Sequence, residues 1–336
     1  MAEHFYQLEV ARVALVVGVV VSILFYERVQ LTTGGAIVPA YLTMVLPTPL
    51  YVVSTLVVGY ATYLIVNRVI GRRVILYGRR KFEVEILVGL VLVGAVTLLG
   101  SLLGRLDPLL SGLDAVGMLI PGVLAHDMFR QTPRQTLVAV GATTAILALF
   151  VYSFASLIAV SPLAQSPLPL VGEKTGYPQQ LLLVAAAASV LTGLVVFSRL
   201  GLRSGGFISA AYLALMLVHP MDLLFSAAMA MLTWFLVTRF VMPHLLVFGR
   251  RKLSAMLLVG SVLVWTAETL VIELTNGAFQ PWHGFVLMAL MIPALLANDA
   301  QRQGVEKTLW GATLSTGAVY GCMNLVTAGL VAAGAM

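Results

Sequence analysis

Eight apolar runs set the limits on what this chain can become. They lie at 9–26, 49–66, 84–103, 136–159, 180–197, 221–238, 253–274 and 308–334, and each is near the ~20 residues that an α-helix needs to cross hydrocarbon. They do not alternate in polarity as the strands of a membrane barrel do. Only 10% of the 336 residues are charged and 60% are hydrophobic, whereas a soluble domain carries about 25% charged residues. A chain this apolar has too little polar surface to present to water. The first run has no basic flank and no small-residue cleavage site after it, so it reads as a retained helix rather than a leader. The expected fold class is an all-α polytopic membrane protein.

The same polar blocks occur twice in the same order, which is the mark of a duplicated module. Gly34-Gly35-Ala36-Ile37-Val38-Pro39-Ala40-Tyr41-Leu42 returns as Gly205-Gly206-Phe207-Ile208-Ser209-Ala210-Ala211-Tyr212-Leu213, and Tyr77-Gly78-Arg79-Arg80-Lys81 returns as Phe248-Gly249-Arg250-Arg251-Lys252, both at an offset of 171. Arg28, Arg68 and Gly89 find Arg199, Arg239 and Gly260 at that offset. One insertion makes the offset 172, and Ile120-Pro121-Gly122-Val123-Leu124-Ala125-His126-Asp127 then matches Ile292-Pro293-Ala294-Leu295-Leu296-Ala297-Asn298-Asp299, with Arg130-Gln131 matching Arg302-Gln303. The boundaries expected from this pattern are a first module at 1–160, an exposed Pro-rich linker at 161–178 and a second module at 179–336.

Charge placement orients the modules. Two shorter apolar segments complete each copy, 34–46 and 113–126 in the first, 205–218 and 284–298 in the second. If each crosses or enters the membrane, 17 of the 20 Lys and Arg fall in loops on one side. The positive-inside rule makes that side cytoplasmic. The expectation is two tandem parallel repeats of about six transmembrane or half-spanning helices each, with the N-terminus, linker and C-terminus outside. The short segments, at about 13 residues or roughly 20 Å of helix, do not reach across a ~30 Å core. Gly35 with Pro39 and Gly117 with Pro121 form the same Gly-x-x-x-Pro pattern, and Pro293 interrupts the matching segment of the second copy. Broken helices of this kind build sites in transporters, and Gly and Pro also serve close helix packing. The two patterns run in opposite directions, as in inverted three-segment halves.

Two sets of polar residues are candidates for function. Arg79, Arg80 and Lys81, with Arg250, Arg251 and Lys252, exceed what orientation alone requires. They suit anionic-lipid contact, and equally an acidic partner or a polyanion held by Arg forks. Nucleic acid is disfavoured because no aromatic platform interleaves with the cations. The second set closes the fifth segment of each copy: Asp127, Arg130 and Gln131, then Asp299, Arg302 and Gln303. Asp and Arg three apart share a helix face and are expected to pair. Asp107 and Asp114 read as solvation of an outer loop, and Glu268 as reaching the membrane interface. No phosphate-binding Gly-x-x-x-x-Gly-Lys-Ser/Thr loop, metal-ligand cluster or Ser–His–Asp set is legible, so catalysis by this chain alone is not expected, nor a cofactor or metal of its own. The single cysteine, Cys322, has no intrachain partner.

The blocks Phe25-Tyr26-Glu27-Arg28, Gly35 to Leu42, Ile75 to Phe82 (ILYGRRKF) and Ile120 to Ala125 resemble the PgsC/CapC family, the small membrane proteins of bacterial poly-γ-glutamate synthesis. The first copy is similar nearly throughout; the second departs at Ser198 for Glu27, Ala210 for Pro39 and Phe248 for Tyr77. The resemblance implies an integral subunit of a poly-γ-glutamate synthase in the bacterial cytoplasmic (inner) membrane. It implies a cytoplasmic PgsB/CapB-like amide ligase as partner, on which ATP and Mg are expected, and brings in a PgsA/CapA-like extracytoplasmic subunit. Assistance to polymer synthesis and export is the function it implies. A secondary transporter for a small carboxylate and a passive membrane scaffold are the alternatives that the residues leave open.

Overall fold

The computed structural model describes residues 2–35, 37–47, 49–76, 78–104, 117–159, 175–178, 181–245, 249–284 and 286–334. The chain divides into two compact units, Met1–Pro167 and Leu168–Met336. The first holds α1 (Ala2–Val29), α2 (Val38–Met44), α3 (Pro49–Leu64), α4 (Gly78–Gly104), α5 (Ile120–Arg130) and α6 (Pro133–Ala159). The second repeats the order with α7 (Leu182–Leu200), α8 (Ser209–Leu215), α9 (Pro220–Leu236), a short α10 (Met242–Leu245) that prolongs it, α11 (Gly249–Leu274), α12 (Val286–Gln303) and α13 (Val305–Ala332). Both α3 and α9 pass into π-helix at matching places, Ile65–Ile70 and Val237–Val241. Among the described residues no strand occurs, and seven helices are long and apolar enough to cross a membrane. The protein is an all-helical, polytopic membrane protein. Large side chains such as Leu149 (76% exposed) and Leu325 (77%) point outward, as a lipid-facing surface requires.

The short segments are shorter than their apolar runs. α2 and α8 have 7 residues each, about 10 Å of helix. Ahead of each stand two glycines with positive φ, Gly34 (76°) and Gly35 (79°), then Gly205 (80°) and Gly206 (104°). Consecutive left-handed residues are a conformation that glycine adopts without steric cost. Pro39 and Pro121 sit in the first turn of α2 and α5, where the missing N–H is needed by no partner. They start short helices rather than break longer ones. Pro293, by contrast, lies inside the 18-residue α12.

In the first unit α2 and α5 lie side by side and antiparallel. Val38 and Leu42 of α2 close a core with Ile120 and Leu124 of α5 and Val140 of α6, and Gly117 abuts the Tyr41 ring. Around this pair α2 packs on α1 and α6, while α5 packs on α3 and α4. Exchanging α1 with α4, α2 with α5 and α3 with α6 leaves this set of neighbours unchanged. The second unit obeys the same rule, with α8 on α7 and α13, and α12 on α9 and α11. Each unit therefore has the contact pattern of two inverted three-helix halves that trade their third helices.

Two expectations need correction. The linker is not exposed throughout, because Gly176 and Tyr177 are buried: Gly176 N–H donates to Leu215 O (2.8 Å) and the Tyr177 hydroxyl to Ala211 O (2.9 Å). Burial, reinforced by Tyr212, pushes the Tyr177 phenol's pKa up, so it remains a donor at physiological pH. Glu268 does not reach an interface; it is 1% exposed on the inward face of α11. Asp107 and Asp114, and linker residues 161–174, lie outside the described residues.

Close approach of α4 and α5 rests on glycine. A Cβ on Gly122 would stand 2.6 Å from Ile86 Cα and 2.9 Å from Glu85 O, both backbone atoms that move only if a helix moves. Gly122→Ala is expected to force the two helices apart and cost about 1–3 kcal/mol, read as a lower midpoint of thermal unfolding in detergent.

Candidate functional site

Three chain reversals of the first unit, α1 to α2, α3 to α4 and α5 to α6, meet at one end. Hydrogen bonds show the convergence. Asp127 Oδ2 at the end of α5 accepts from Gly34 N–H (3.0 Å). Gln131 accepts from Thr32 N–H (2.7 Å) and donates to Thr32 O (2.7 Å) and to the Thr136 hydroxyl (2.9 Å). The second unit repeats every bond. Asp299 Oδ2 accepts from Gly205 N–H (3.1 Å), and Gln303 accepts from Arg203 N–H (2.9 Å) while donating to Arg203 O (2.9 Å) and the Thr308 hydroxyl (3.0 Å). The recurring Asp-x-x-Arg-Gln is a clamp on the glycine turn. Its Asp and Gln saturate the peptide groups of a non-helical stretch, which apolar surroundings demand.

The expected pairing of Asp with the Arg three residues on is not the one observed in the second unit. Asp299 faces Arg203 at 3.9 Å. Arg130 and Arg302 are instead exposed, because the clamp turns the carboxylate toward the loop.

The cations gather at this same end. In the first unit Arg79 pairs with Glu83 (2.6 Å), Arg80 is exposed, and Lys81 is buried. Lys81 Nζ donates to Asn67 Oδ1 (2.7 Å) on the π-helical turn and lies over the Phe129 ring, a favourable place for an ammonium. In the second unit Lys252 is buried and donates to Gln301, and Arg251 is exposed. The Arg250 side chain lies outside the described residues.

Sequence reasoning missed two further clusters. Glu85, fully buried on α4, meets His126 Nδ1 at 2.7 Å, and the His126 ring lies 4.5 Å from Phe82. The four-residue step from Lys81 to Glu85 to Gly89 along one helix face was the available signal. In the second unit, at the opposite end, buried Asp222 accepts from Trp282 N–H (3.0 Å), and Trp282 Nε1–H donates to the Ser226 hydroxyl (2.8 Å). Tyr51 holds the place of Asp222 in the first repeat, so duplication could not flag it. Among the described residues no three His, Cys, Asp or Glu side chains converge as metal ligands would.

The fold and site define a class: a helical membrane protein built of two like modules, each with a clamped glycine turn beside a buried lysine. The family model described as "Capsule biosynthesis CapC" matches residues 17–137 and again 188–309, so each repeat answers to the family separately. This chain belongs to the CapC family of capsule biosynthesis. It is 34% identical over 145 residues to the PGA biosynthesis protein CapC of Bacillus subtilis (strain 168), covering 42% of this chain and 93% of that protein. It is likewise 34% identical over 143 residues to the capsule biosynthesis protein CapC of Bacillus anthracis, covering 41% and 93%. No solved structure matches.

Gln131→Ala or Gln303→Ala removes a side chain holding three hydrogen bonds and leaves partly buried peptide groups unpaired. Each is expected to cost about 1–3 kcal/mol, measured as a lower unfolding midpoint and as faster cleavage of the glycine turn by protease in detergent.

Proposed function

We propose that this chain is the integral membrane subunit of a poly-γ-glutamate synthase, docking a cytoplasmic ATP-dependent amide ligase at its basic ends and assisting the polymer's passage outward. The observation that carries the reading is the gathering of Arg79, Arg80, Lys81 and Arg130 at one end of the first unit, repeated by Arg251, Lys252 and Arg302 in the second. Guanidinium forks and ammonium groups there suit either an acidic protein surface or a polymer with one carboxylate per residue. The positive-inside rule turns these ends to the cytoplasm, where a ligase would have its ATP and Mg. Membership of the CapC family, and a relative named for PGA biosynthesis, support the same reading. It places the chain in a capsule-synthesis complex of the bacterial inner membrane and leaves activation of the growing carboxyl to the ligase.

The paired short helices favour one further reading, a secondary transporter for a small carboxylate. Purified protein in liposomes that moves no labelled glutamate would remove it.

Replacing Arg79, Arg80 and Lys81 with Gln, and separately Arg250, Arg251 and Lys252, is expected to lower ligase copurification at least tenfold and to reduce polymer yield. Unchanged recruitment, polymer length and export would overturn the proposal. If artificial tethering of the ligase to the variant restored yield, length and export, the chain would be a passive scaffold.

A further inference from the structure

The two basic ends share a backbone but not a charge. Superimposing the repeats by their offsets of 171 and 172 sets Arg203 on Thr32, Lys252 on Lys81, Ser254 on Glu83, Met256 on Glu85, Asn298 on His126 and Gln301 on Phe129. Asp299 falls on Asp127 and Arg302 on Arg130. In the first unit Arg79 and Lys81 are answered from within. Glu83 holds Arg79 at 2.6 Å. Lys81 feels the attraction of Glu85 and is covered by Phe129, while Glu85 also takes His126. Beside Lys81 and Arg130 this end keeps two acids, Glu85 and Asp127.

In the second unit Glu83 and Glu85 have been replaced, while Asp127 is kept as Asp299. No acid stands at Ser254 or Met256, and Gln301 removes the aromatic cover. Asp299 faces Arg203 at 3.9 Å, and Lys252 donates to Gln301, the chain neighbour of Arg302, so one opposite and two like charges stand about Lys252. Compared with the first repeat, this place has lost two acids, Glu83 and Glu85, and gained Arg203; Lys252 is 8% exposed there and Arg302 opens to the surface. Like charges gathered beside a partly dehydrated ammonium repel one another. An anion relieves that repulsion, and it is worth more there than at a fully hydrated surface.

We infer that the second repeat alone carries an anion receptor, in which Arg203, Lys252 and Arg302 hold a carboxylate of a γ-linked glutamyl chain, while the equivalent place in the first repeat is closed by its own acids and Phe129. This rests on the proposed reading of the basic ends as the surface that meets the polymer. It adds Arg203, which sequence reasoning treated only as an orienting charge. It also assigns the two repeats different work: both present cations to the ligase, and the second in addition takes substrate.

The test uses the purified full chain in nanodiscs and a fluorescent γ-linked glutamyl tetramer as probe. Arg203→Thr places there the residue that the first repeat carries; the contact with Asp299 is lost, but the Gln303 bonds reach the backbone of that position and the first repeat forms the same clamp on Thr32. Binding is expected to weaken at least tenfold in Arg203→Thr and to change less than twofold in Arg134→Gln, which removes an exposed cation from the first unit. Thr32→Arg with Glu83→Ser, Glu85→Met, His126→Asn and Phe129→Gln, which writes the second repeat's residues into the first, is expected to raise the stoichiometry from one tetramer to two. Equal affinity in Arg203→Thr and the unaltered chain, or equal loss in Arg134→Gln, overturns the inference. The same variants are placed in a strain lacking its own CapC. If the unaltered chain restores polymer there but binds no tetramer, the receptor is refuted and the synthase reading stands. If it restores no polymer, the synthase reading falls by itself.

Discussion

The rest of the structure depends on one demand: a backbone turn at the mouth of an apolar bundle must have its peptide groups satisfied by protein. A seven-residue helix such as α2 leaves most of its terminal N–H and C=O groups without intrahelical partners. The glycine turn ahead of it has no helical bonds at all. Asp127 and Gln131 answer this in the first unit, Asp299 and Gln303 in the second. Because the clamp reaches from the end of α5 to the start of α2, it sets these helices antiparallel and side by side. That pair is the axle on which α1, α3, α4 and α6 are hung. The chain reversals that carry the cations meet at one end for the same reason.

Much of this was legible in the sequence because duplication repeats what backbone geometry requires. The Gly-Gly and Asp-x-x-Arg-Gln blocks recur since both repeats need the same turn and the same clamp. Their polar character among apolar neighbours made the offset readable. The role of Asp was misread, since helical spacing points to Arg130 or Arg302 whereas the bond partner lies some ninety residues away, at Gly34 or Gly205. Local spacing cannot report a partner brought up by tertiary packing. The Glu85–His126 pair and the Asp222–Ser226–Trp282 cluster escaped notice because each occurs in only one repeat. Glu268 was placed at an interface on the length of its helix alone, and the inward face of α11 buries it instead.

Among the substitutions that separate the repeats, several gather at one place. Arg203 for Thr32, Met256 for Glu85, Asn298 for His126 and Gln301 for Phe129 all touch the surroundings of one lysine. The clamp bonds beside them are kept one for one. A module that stays rigid while the residues around one cation change can take a new electrostatic role without losing its fold. The CapC relatives correspond to about one repeat in length; here the two repeats sit in one polypeptide, so their differences are inherited together and always present in equal amounts.

The exchange of third helices between inverted halves bears on how such a chain enters the membrane. Thr32 and Gln131 are separated by 99 residues, and Arg203 and Gln303 by 100. At the usual pace of synthesis, roughly 5–20 residues per second, the glycine turn must wait on the order of ten seconds, its peptide groups unclamped, until the last short helix of its repeat emerges. During that interval the turn must stay hydrated at the surface or be shielded by the insertion machinery. The two repeats face the same wait in succession, so the first can close its bundle before the second has begun to thread.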